Sequence, residues 1–116
     1  MLENISTTVR RISAKISAEE LALAKAYMQG AVHSFCGCNG DREFSVRTLF
    51  GGTNRDWSDT PLQWIYEYHK SAGKPDPAEA AAKDVGWLFK QVLLDDVRTF
   101  RYVRDDTGNV YQRIDR

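Results

Sequence analysis

Residues 98–114 read RTFRYVRDDTGNVYQRI, and the period of this stretch decides the fold. Phe100, Tyr102 and Val103 form one short apolar run, and Val110, Tyr111 and Ile114 form a second. Between them Asp105-Asp106-Thr107-Gly108-Asn109 has the chemistry of a turn. Two β-favouring runs on either side of such a turn predict a β-hairpin. Upstream, apolar residues recur every three to four positions, which is the helical period. The chain is therefore expected to be mainly α-helical with a C-terminal β-hairpin, an α+β fold.

The helix starts are legible going back along the chain. Asp76-Pro77-Ala78-Glu79 opens a helix to about Leu94 with a broad apolar face of Ala81, Val85, Leu88, Phe89, Val92 and Leu93. Gly86 costs about 1 kcal/mol relative to alanine inside that helix, so it is expected to permit close approach by another backbone. Trp87 lies off the stripe, suited to a subunit contact or to a neighbouring element of the same chain. Thr60-Pro61-Leu62-Gln63 opens a helix over 61–72, with Leu62, Ile65, Tyr66 and His69 inward and Trp64 and Tyr68 as a second aromatic edge. Trp57, in the preceding polar loop, is suited to plugging the edge of a core. Ser45 caps a small helix closed by Gly51-Gly52, and Arg42-Glu43-Phe44 before it reads as a short extended piece.

Ser17-Ala18-Glu19-Glu20 is a capping box. Leu21, Ala24, Met28, Ala31, Val32 and Phe35 follow as a core-facing stripe, with Gly37 as the expected stop. Before it, Leu2, Ile5, Val9, Ile12 and Ile16 are spaced as a narrow helical seam. This divides the chain into an N-terminal amphipathic arm over 1–16 and a single domain over 17–116. The arm is either a partly ordered terminus or a helix that packs on a second copy of the chain.

A chain of 116 residues holds one core. Its 16 basic and 16 acidic residues cancel, so no global field draws it to nucleic acid or to an anionic membrane. Charge is nevertheless segregated. Arg10, Arg11 and Lys15 oppose only Glu3 at one end, and five arginines oppose three aspartates over 98–116. No targeting segment or membrane span is visible, which points to the cytoplasm.

Residues 33–41, HSFCGCNGD, hold both cysteines and one of the two histidines. With His69, the set His33, Cys36 and Cys38 has the composition of a zinc site. One residue between the cysteines is fewer than the two to four usual for such sites, and His69 has no second ligand nearby. Cys36 reads more simply as a small apolar residue of the last helical turn. No metal and no cofactor is expected.

The order helix, Glu43-Phe44, a small helix from Ser45, further helices and a hairpin over 98–114 resembles the winged helix-turn-helix fold. Phe44-Ser45-Val46-Arg47-Thr48-Leu49 looks like its strand-to-second-helix segment and the hairpin like its wing. The resemblance implies DNA contact through the helix before the wing. Here that helix begins DPAEAAAKD, two acids and mostly alanine before Lys83.

The residues thus point to a non-enzymatic binding module that self-associates and contacts a protein partner. The surface expected for this is Ile5, Val9, Ile12 and Ile16 with Trp57, Trp64, Tyr68 and Trp87. The alternative is nucleic-acid binding through Arg10, Arg11, Arg98, Arg101, Arg104 and Arg113. Asp56, Asp59, His33 and His69 have no spacing that assembles an acid, base or nucleophile, so neither catalysis nor a small-molecule substrate is expected.

Overall fold

The computed structural model describes residues 1–6, 8–51, 57–105 and 108–115. The elements are β1 (Leu2–Glu3), α1 (Ala18–Asn39), β2 (Glu43–Phe44), α2 (Val46–Phe50), α3 (Gln63–Ser71), α4 (Pro77–Asp95), β3 (Phe100–Asp105) and β4 (Gly108–Arg113). The fold is α+β, and the hairpin is the centre of a mixed sheet ordered β1-β3-β4-β2. β1 lies parallel to β3, while β2 lies antiparallel to β4.

Register neighbours share a side of the pleat, and one face of the sheet is turned to the core while the other carries Val103 and Val110 beside a polar row. Leu2 pairs with Phe100, Tyr102 with Tyr111 and Tyr111 with Phe44, which gives the face turned to the core. One residue along, Glu3, Arg101, Gln112 and Glu43 form a row across all four strands on the other face. Phe44 is the hub of the core, meeting Phe89 and Phe100 edge-on with centroids 6.1 and 5.6 Å apart. Phe50 meets Phe89 in the same way at 5.6 Å.

Helix α4 is the pillar of the molecule. Of its residues only Glu79, Lys83 and Asp95 are exposed. The Asp76 carboxylate caps it by accepting from the Glu79 amide, and Pro77 occupies the first turn, where its missing N–H costs nothing. The Ser17 capping box is present in both directions, and Ser45 caps α2.

The structure corrects four expectations. α1 continues through Gly37 to Asn39 and stops at Gly40, whose φ of 64° with ψ of −115° is a backbone conformation that glycine adopts without strain. α3 starts at Gln63, because Thr60 and Leu62 form a turn in which the Thr60 hydroxyl accepts from the Leu62 amide. A Cβ built on Gly86 meets nothing within 4 Å, so no backbone approaches there. Finally, the N-terminal seam is not helical. Leu2–Glu3 is a strand, and residues 8–17 have neither helix nor strand. The cause is long-range pairing: Met1 O accepts from Phe100 N at 2.8 Å, and the left-handed Asn4 pairs its side-chain amide with the Tyr102 backbone at 2.8 and 3.0 Å.

Candidate interaction surface

Residues 8–17 form a strap that runs antiparallel to α4. Thr8 O accepts from Lys90 Nζ at 2.7 Å, the Arg10 guanidinium sits 5.4 Å from the Trp87 ring centroid, and Ser13 and Ala14 reach Asp84 one turn further back. Asp84 is the fastening. Its carboxylate accepts from the Ser13 and Ala14 amides (2.9 and 3.0 Å), from the Ser13 hydroxyl (3.1 Å) and from His69 Nε2 (2.7 Å). His69 and Asp84 are 1% and 4% exposed, which a carboxylate tolerates only when saturated in this way. Because Asp84 can only accept, Nε2 carries the imidazole proton. Nδ1 is buried with no partner among the described residues.

This placement changes the role of several residues expected to meet a second chain. Ile5, Ile12 and Ile16 pack against the protein's own core, and Val9 is half-buried. Trp87 is half-buried beneath the strap, with Lys90 Nζ also 5.4 Å from its ring. Trp57 does plug the core edge, its indole N–H donating to Phe50 O at 3.0 Å. Tyr68 packs edge-on against His69 at 5.2 Å, and Trp64 is half-buried on α3.

The arginines divide similarly. Arg98 is tied to Asp96 through Nε (2.9 Å) and Nη2 (2.8 Å), with its side chain 12% exposed, and Arg113 is tied to Asp115 at 2.6 Å. Arg10, Arg11 and Arg101 are exposed. The Arg104 side chain and Asp56 lie outside the described residues. Asp59, exposed, takes the Gln63 side-chain oxygen on its own amide.

His33, Cys36, Cys38 and His69 are not brought together. His33 Nδ1 lies 3.0 Å from Arg98 Nη2, Cys36 is buried, Cys38 is exposed, and His69 belongs to the Asp84 cluster on α3. Burial pushes the Cys36 thiol above its ordinary pKa, the behaviour of an inert core thiol. Among the described residues no three His, Cys, Asp or Glu side chains are placed to hold a metal ion. None of the described helices is long and apolar enough to cross a membrane.

A surface with no signal in the residue pattern lies where α4 passes into β3. The Met1 amino group donates to Leu93 O, Asp96 O and Arg98 O at 2.6–2.8 Å, closing the C-terminal end of α4, and Ile114 N donates to Thr99 O at 2.9 Å. Met1 and Ile114 therefore both lie at the 96–99 turn. Asp96 anchors that turn, accepting from Arg98 and also from Gln29 Nε2 of α1 at 2.7 Å. Burial acts to raise the Asp96 pKa, but the hydrogen bonds from Arg98 and Gln29 prevail and hold it at about 2. Around this braced turn stand Val97, 89% exposed, Met1, 55%, and Ile114, 38%. The remaining large exposed apolar side chain of the described residues, Leu23, is on α1.

No protein-family model, curated protein or solved structure matches the chain.

Proposed function

We propose that the protein is a non-enzymatic binding module that associates with itself and contacts a protein partner, docking through the exposed apolar side chains of Met1, Val97 and Ile114. The observation behind this reading is the exposure of three large apolar side chains around one turn whose backbone is braced by Asp96, Arg98 and Gln29. Exposed apolar side chains gathered around one turn are suited to burial against a partner, and a braced base lowers the entropy lost on docking. The winged-helix-like reading of the fold belongs to the same proposal. It is supported by β2 lying antiparallel on the second hairpin strand, with helices between β2 and the hairpin. In this reading the fold serves protein contact, because α4, in the place of the DNA-reading helix, is walled in by α1, α3 and the strap.

Light scattering tests it. The wild type is expected to dimerise with a Kd on the order of 10 µM, as small interfaces do. Val97→Asp is expected to be monomeric with an unchanged melting temperature. A wild type that stays monomeric well above that concentration overturns self-association.

A further inference from the structure

We propose that Trp87, Lys90 and Arg10 form a binding site for single-stranded nucleic acid, with the indole as a platform for a base, exposed Arg10 meeting a phosphate and Lys90 adding positive charge beside the ring. Lys90 is 8% exposed, and its ammonium donates to one protein acceptor, Thr8 O. Among the described residues no carboxylate lies within 4 Å of Lys90 or of Arg10. Asp84, the acid that the strap does touch, is taken by His69, Ser13 and Ala14. Two cations thus converge on one aromatic ring, both 5.4 Å from its centroid, with no anion between them. A phosphate bound at Arg10 would supply the counter-charge that neither cation has among the described residues.

Exposed Arg11 on the strap and Lys83, one turn before Trp87 on α4, extend the positive surface. Glu79 opposes it at the far end, 3.6 Å from Lys83. Arg10 is exposed, so a base can replace its guanidinium on the indole and leave that group free to bond a phosphate. A single strand fits better than a duplex. The positive charge is local, α4 cannot enter a groove, and on the outer sheet face Glu3 and Glu43 flank the row that holds Arg101.

The experiment is a fluorescence-anisotropy titration of a labelled oligothymidylate of about ten nucleotides with the full chain. Binding is expected to weaken with added salt, the slope of log K against log salt being about −2 for roughly three phosphates. Arg10→Gln is expected to weaken it at least about fivefold with no change in melting temperature, and Trp87→Leu by about tenfold. Lys90 is buried and its substitution can disturb folding, so the Arg10 variant is decisive. No anisotropy change at the lowest salt, or equal binding by Arg10→Gln, overturns the proposal. Tripolyphosphate or duplex binding as tightly as the oligonucleotide overturns the assignment to a single strand.

Discussion

Asp84 shows how one side chain can decide the arrangement of a distant segment. It sits on the apolar stripe of α4, between Ala81 and Leu88, where a carboxylate is out of place unless something pairs with it. That much is visible in the sequence. The partners are not, because Ser13 is 71 positions away and His69 is 15. Asp84→Ala leaves the imidazole and the strap amides buried and unpaired and is expected to cost about 3–5 kcal/mol in urea denaturation. Ser13→Ala, which keeps both amide bonds, should cost about 1 kcal/mol. Asp96 supplies a pH dependence of opposite origin. Its folded pKa of about 2 lies below that of an ordinary carboxyl, so its contribution is complete above about pH 5 and fades as pH falls towards 2. Comparing wild type with Asp96→Asn across that window should show a difference of about 1–2 kcal/mol that shrinks with acid.

The helices were the most legible elements, since their signals are local. The Ser17 box, the Ser45 cap and the Asp76-Pro77 start all stand where the spacing puts them. α1 overran its expected end because Gly37 keeps helical geometry and the residue with positive φ is Gly40, three positions later. Gly30, Gly37 and Gly86 have no positive φ, and a Cβ at each meets open space. Replacing any of them with alanine is therefore expected to stabilise the protein by about 0.5–1 kcal/mol, measured as a rise in melting temperature. Gly73→Ala should do the reverse, since its φ is 75°. The strap was illegible for the opposite reason. Ile5, Ile12 and Ile16 are spaced as a helix would space them, and only contacts with β3 and α4 hold the segment extended. Trp87 stood out in the sequence as off its stripe, and Arg10 as part of a basic end, but nothing local could show that one lies on the other. Val97 carries no signal at all, being one apolar residue in a short turn.

At the scale of the whole molecule the first sixteen residues are structural. They supply the strand β1, the buried side chains Leu2 and Ala14, the half-buried Ile5, Ile12 and Ile16, and the donors on Asp84. Removing them exposes core and leaves Asp84 with His69 alone, a loss on the order of the ~10 kcal/mol that holds a domain of this size together. A 17–116 fragment is accordingly expected to lose its cooperative unfolding transition, followed by far-ultraviolet circular dichroism against temperature. The pairing of Leu2 with Phe100 also has a consequence in time. A ribosome adding about 5–20 residues per second needs roughly 5–20 s to pass from one partner to the other. Throughout that interval the Leu2 strand has no β3 to pair with and stays open to proteases and chaperones.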